Sequence, residues 1–191
     1  APLGGGHSSG NVIALFLIGY VVSFGYLGLP ALGLQAGVVQ FEKDGQYERI
    51  AVVDTLYQGK PARLLVLDRS ASSGIFLPDG TLAFPYTEYY QFAHLLKSPP
   101  KEILVVGGGT FTVPRVLRDT FKEANVTAIE IEPELLPLAE KYFGLTNLSR
   151  IHPVVADGRQ FLRTATTTYD FIFGDAYSSL YSVPWQLTTE E

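Results

Sequence analysis

The 191-residue chain has no cysteine, which excludes a disulfide framework and any thiolate nucleophile or thiolate metal ligand. It has no methionine either, so thioether ligation is also excluded. Its three histidines, His7, His94 and His152, are scattered and match no metal spacing, so each is expected on the surface or in packing and no metal is expected. Cationic side chains are few: 14 Lys and Arg stand against 19 Asp and Glu, a formal net charge of -5. Without a basic tract there is no electrostatic footprint for nucleic acid. No G-x-x-x-x-G-K-[ST] loop occurs, which removes P-loop phosphotransfer.

What is present divides the chain sharply. Residues 1–11, "APLGGGHSSGN", have the composition of a flexible tail. Residues 12–34, "VIALFLIGYVVSFGYLGLPALGL", carry no charge, and the run matches the roughly 20 apolar residues that span a bilayer. A signal peptide would need a basic start and a shorter core. The expectation is a single transmembrane helix in contact with membrane lipid. Lys43 and Arg49 follow the run and no Lys or Arg precedes it, which places the following domain on the cytoplasmic side.

Residues 35–85 suggest a small antiparallel β region. Its strands are expected at 47–54, at 62–68 and on both sides of the Pro78-Asp79-Gly80 turn within 74–84. A helix is predicted over 86–96, ending at "KSPPK". From 86 to 191 the pattern is α/β: "EILVV", "VTAIEI", "IHPVVA" and "YDFIFGD" alternate with helical stretches near 113–124, 135–143 and 158–164. Such alternation implies parallel strands with crossover helices, a Rossmann-like doubly wound sheet.

Ligands of such sheets bind at the carboxyl ends of the strands. Here those ends carry Gly107, Gly108 and Gly109, then Glu130, Asp157 and Asp175. Glycines let the backbone approach a ligand closely, and an acid about twenty residues later is placed for ribose hydroxyls. The dinucleotide fingerprint G-x-G-x-x-G would need glycine at 112, where this chain has Thr112. Hydride-transfer chemistry is therefore disfavoured. A sulfonium nucleoside, S-adenosylmethionine or its decarboxylated form, needs no phosphate cradle and fits these residues better.

Taken together, Tyr47 in "GQYERIAV", "LLVLD", Tyr86-Thr87-Glu88, "ILVVGGG", "AIEIEPELL", "VVADGRQFL" and "YDFIFGD" resemble the spermidine synthase (polyamine aminopropyltransferase) family. The final stretch is similar to bacterial members fused behind membrane helices. The resemblance implies that the Gly107, Gly108 and Gly109 turn passes the sulfonium side chain and that Glu130 holds the ribose. It assigns the adenine to Asp157 and Gly158. It makes Asp175 the acid that positions or deprotonates an acceptor amine, with Tyr86 orienting it. The implied reaction is attack by an amine on the methylene beside sulfur.

Departures accompany the matches. The family's Gly-Gly-Gly-Asp-Gly-Gly becomes Gly107-Gly108-Gly109-Thr110-Phe111-Thr112, which removes the acid that would hold the donor's ammonium. A second acid, three residues after Asp175, is Ser178, the Tyr–Gln pair is Tyr47-Glu48, and a further glutamine is Ser72. These losses keep two other functions open: methyl transfer on the same fold, and a catalytically degenerate subunit of a larger membrane complex. Relative to the family, the sheet is short of its last strands. Either the ordered part ends at Glu191 or another protein, in a membrane complex, covers the edge left by "FIFGD".

Overall fold

The structure is a computed structural model and describes residues 37–176. The apolar run at 12–34, the C-terminal stretch and Ser178 lie outside the described residues. Among the described residues no helix is long and apolar enough to cross a membrane.

Two four-stranded sheets make up the fold. The first is an antiparallel meander of β1 (Val38–Asp44), β2 (Arg49–Tyr57), β3 (Lys60–Leu67) and β4 (Ser70–Phe76), paired in that order. The expected strands at 47–54 and 62–68 correspond to β2 and β3. β1 was not anticipated. Its sequence, VVQFEKD, is exposed nearly throughout, so an edge strand paired on one side leaves no alternating pattern to read. The segment at 74–84 contains the end of β4, the expected turn, and a single bridge between Ile75 and Leu82 in place of a second strand. In the turn, Asp79 Oδ1 accepts from the backbone N–H and the hydroxyl of Thr81, and Arg115 Nη2 donates to the Gly80 carbonyl at 2.7 Å.

The predicted helix at 86–96 is instead a 3-10 segment, Pro85–Leu95. Its Tyr, Thr, Phe and His residues are weak α-formers and Pro85 only starts a turn, so nothing local favours the wider helix. Beyond it come β5 (Glu102–Val106), α1 (Thr112–Thr120), β6 (Asn125–Glu130) and α2 (Leu135–Tyr142). They are followed by β7 (Ile151–Val155), α3 (Gly158–Thr164) and β8 (Phe171–Gly174). These four strands are parallel in the order β7-β6-β5-β8, so the chain reverses direction across the sheet between β5 and β8.

Helices lie on both faces of this sheet. Val113 and Leu117 of α1 and Ala139 of α2 pack with Ile103, Val105, Val126 and Ala128 on one face. Phe161 of α3 packs with Leu104, Val106 and Ile129 on the other. The doubly wound expectation holds for this part. β8 is an edge of the parallel sheet as described, with Ile172 exposed.

The antiparallel sheet is docked on the same body. Ile50, Val52, Leu65 and Ile75 bury against Leu135, Leu138 and Phe143. Arg63 grips Asp54 through two bonds of 2.7 and 2.8 Å and donates a third to the Tyr142 carbonyl at 3.0 Å, tying β2 and β3 to the end of α2. A fork-on-carboxylate pair of this kind is among the stronger polar contacts available. The meander thus forms a roof over the carboxyl ends of the parallel strands.

Candidate functional site

The ladder of the parallel sheet continues past the strand ends, and this sets the site. Gly107 N–H donates to Ile129 O at 3.0 Å, Asp175 N–H to Val106 O at 2.7 Å, and Ala156 N–H to Glu130 O at 3.0 Å. Gly107, Glu130, Asp157 and Asp175 are thereby held in one row along the edge where the strands end. Beneath the antiparallel roof this row borders a cavity of about 300 Å³. That volume lies at the low end of ordinary small-molecule sites.

Every residue singled out from the sequence for the cofactor lines this cavity: Gly107, Gly108, Gly109, Glu130, Asp157 and Gly158. Asp175 lines it as well, while Tyr86 meets it through Asp175. The glycine turn is required for two reasons. Gly107 has φ +97, and a Cβ there would lie 2.5 Å from the Asp175 carbonyl oxygen; Gly109 has φ +52.

Glu130 is almost fully buried. Its Oε2 accepts from Gly109 N–H at 2.7 Å and its Oε1 from Glu132 N–H at 2.9 Å. Burial pushes this carboxyl above the usual range, and those backbone N–H bonds pull the other way. Its carboxylate also lines the cavity. Asp157 caps α3, with Oδ1 accepting from Gln160 N–H at 2.8 Å.

Asp175 behaves differently. Burial raises it to about 7, the Tyr86 hydroxyl opposes the rise, and the charge of Glu130 adds to it. Tyr86 Oη lies 3.5 Å from Asp175 Oδ2 and 3.4 Å from the Ser72 carbonyl, so one phenol links this carboxyl to the roof. A carboxyl that titrates near neutrality at a cavity wall is suited to exchanging a proton with an amine.

Thr110 is found away from the cavity. It is 1% exposed, and its hydroxyl lies 2.5 Å from Ser73 Oγ and 3.3 Å from Thr112 Oγ1. The residue at the position of the expected acid therefore belongs to a buried hydroxyl cluster joining β4 to the start of α1. Phe111 adopts φ 56, a left-handed conformation that its bulk disfavours, and its buried ring lies beneath Gly108.

Two acids of the cavity were not picked out from the sequence as ligand-binding. Glu132 is buried, and its Oε2 accepts from Tyr47 N–H at 3.0 Å. Glu48 reaches the cavity from the β1–β2 turn. Its replacement of a glutamine was visible, but its proximity to Glu130 spans eighty residues of chain. Among the described residues no Lys, Arg or His lines the cavity, and no group of acids and histidines is suited to a metal ion.

The family profile described as "Spermine/spermidine synthase domain" matches residues 83–182. This chain belongs to the spermine/spermidine synthase family. The polyamine aminopropyltransferase of Vibrio vulnificus (strain CMCP6) is 31% identical over 118 residues, which cover 59% of this chain and 38% of that protein. The eEF1A lysine and N-terminal methyltransferase of Mus musculus is 33% identical over 88 residues, covering 44% of this chain and 13% of that one. Among solved structures, a probable spermidine synthase from Corynebacterium glutamicum ATCC 13032 superposes with TM-score 0.66 at 24% identity. It matches 78% of this chain and 56% of its own. A spermidine synthase in complex with the transition-state analogue AdoDATO gives TM-score 0.58 at 20% identity, with 80% and 51% coverage. At these identities the structures establish the shared fold. The chain spans well under half the length of these curated relatives.

Proposed function

We propose that this member of the family binds an adenosyl sulfonium, S-adenosylmethionine or its decarboxylated form, and transfers an aminopropyl group from the latter to an amine. The observation that carries this reading is Asp175, a buried carboxyl raised to about 7, facing the cavity beside a glycine turn and one strand beyond it from Glu130. In this reading Glu130 accepts from the ribose hydroxyls, and Asp157 with Gly158 meets the adenine. The sulfonium arm passes Gly107, Gly108 and Gly109. The likeness to a spermidine synthase solved with AdoDATO supports that ligand class.

The chemistry asks little of the protein beyond alignment and one base. The acceptor ammonium gives a proton to Asp175, and the freed lone pair attacks the methylene carbon next to sulfur. The new C–N bond forms as the C–S bond breaks, and its electron pair stays on sulfur as a neutral thioether. Tyr86 keeps the Asp175 carboxyl turned toward the cavity.

One observation favours methyl transfer as a second reading. Thr110 offers a hidden hydroxyl where a carboxylate would hold a donor ammonium, and the similarity extends to a protein named as a lysine and N-terminal methyltransferase. We further propose that the apolar run at 12–34 anchors the protein in a membrane, which resistance to a carbonate wash would test.

The central test is calorimetric titration with decarboxylated S-adenosylmethionine and with S-adenosylmethionine, together with a putrescine assay on the unmodified protein and on Asp175→Asn. The expected result is binding by both proteins and a fall of about 10²–10⁴ in turnover for Asp175→Asn. Binding of neither compound refutes the reading. Binding with methyl but no aminopropyl transfer establishes the second.

A further inference from the structure

Three carboxyls converge at the β6 end of the cavity, and their surroundings are unequal. Glu130 accepts N–H bonds from Gly109 and Glu132, and Glu132 accepts from Tyr47 and, at 3.4 Å, from Glu134. Their charges are thus partly met by fixed backbone dipoles. The Glu48 side chain accepts no hydrogen bond among the described residues, although it is half-buried on the cavity wall. Its position is nonetheless fixed. Gly45 N–H donates to the Glu48 carbonyl at 2.9 Å, closing the turn, and Tyr47 N–H anchors that turn on Glu132 at 3.0 Å.

The surroundings of Glu48 are uniformly negative. Its burial, together with Asp68, Glu130 and Glu132, pushes its carboxyl up. The adjacent Arg49 points its guanidinium at Glu42, and among the described residues no cationic side chain lines the cavity. A carboxylate held in this way lacks a cation, and a ligand could supply one.

We propose that Glu48 is a specificity-determining residue that makes this cavity select nucleosides with a positively charged sulfur over the same nucleosides with a neutral sulfur. The proposal rests on the adenosyl reading above. A glutamine in its place would keep the shape and hydrogen-bonding capacity of the side chain but carry no charge. The Coulomb attraction is long-ranged inside a cavity with few mobile ions, so Glu48 need not touch the sulfur to act on it. Selection of this sign also has a kinetic use. Group transfer turns the sulfonium into a thioether, so the spent nucleoside is held less tightly than the fresh one.

The experiment compares 5′-methylthioadenosine with its S-methylated sulfonium, two ligands that differ by one methyl and one charge. Both are titrated by calorimetry into the unmodified protein, Glu48→Gln and Glu48→Asp. The expected preference for the sulfonium is about tenfold or more, equivalent to about 1.4 kcal/mol. In Glu48→Gln that ratio falls by about fivefold or more through weaker sulfonium binding, and Glu48→Asp retains most of it. A measurement without substitution accompanies these: because a cavity pair is screened weakly, the ratio in the unmodified protein keeps most of its value as salt rises from about 0.05 to about 0.5 M. Equal binding of the two ligands, or a ratio unchanged in Glu48→Gln, overturns the proposal and leaves the adenosyl reading standing. Binding of neither overturns both.

Discussion

The phenolic oxygen of Tyr86 stands 3.5 Å from Oδ2 of Asp175, and among the described residues it is the side-chain group hydrogen-bonded to this carboxyl. Because burial raises Asp175 to about 7, its protonated form is the one the fold prefers. The folded value exceeds the unfolded one near 3.9, so the stability it contributes is complete below pH 4 and is lost as pH rises through about 7. Asp175→Asn is therefore expected to melt higher than the parent at pH 8, by an amount on the order of a few kcal/mol, with the gap closing toward pH 4. Thermal unfolding of both proteins from pH 4 to pH 8 checks this. Turnover by the parent should move the opposite way, rising with pH through about 7 as the base ionises.

Tyr86→Phe removes the hydroxyl that lowers Asp175. The midpoint of the pH–rate profile is expected to shift upward, with nucleoside affinity unchanged. A profile that stays in place would show that the 3.5 Å contact has no electrostatic effect.

Thr110→Asp does not restore a ligand-facing acid. The side chain at this position is enclosed with Ser73 and Thr112, so the substitution buries a carboxylate among hydroxyls. The expected outcome is a loss of roughly 2 kcal/mol or more at pH 8, smaller at pH 4 where the acid is neutral. Chemical denaturation at the two pH values separates this from a pH-independent packing defect.

Phe111→Gly sets two effects against each other. Glycine relieves a left-handed backbone worth about 1–2 kcal/mol, while the lost ring was fully buried and truncating a core Phe costs about 3–5 kcal/mol. Ring loss should win, leaving the variant about 2 kcal/mol less stable in urea denaturation. A more stable variant would mean that Phe111 is held in its conformation against a larger strain.

Glu130→Ala leaves the Gly109 and Glu132 N–H groups without their acceptor as well as removing a carboxyl from the cavity. Adenosyl-ligand affinity should fall by about 1–3 kcal/mol in calorimetry. Affinity equal to the parent's would remove Glu130 from the nucleoside site.

The row of site residues was legible in the sequence because each closes a short apolar run. Buried parallel strands advertise themselves as such runs, and their carboxyl ends are fixed once the strands are recognised. Glu130, Asp157 and Asp175 were found in this way. Residues whose role depends on the second sheet were not. Glu48 enters from a turn with no apolar signature, and its meaning depends on docking through Ile50, Leu65 and Arg63. Thr110 was marked as a departure, but its direction was hidden: whether a hydroxyl faces a ligand or Ser73 depends on where β4 lies. β1 and the 3-10 segment lacked a periodic pattern for a related reason, since neither buries one regular face.

At Gly107 the glycine turn and Asp175 share one surface, since the missing side chain is what lets its backbone rest against the Asp175 carbonyl. A Cβ at position 107 would push on Asp175 and Ala176 before it met any ligand. The turn and the carboxyl beside it are consequently machined as a single part. Moving the turn would displace Asp175 with it, so the spacing between the glycine backbone and this carboxyl is kept whole or lost whole.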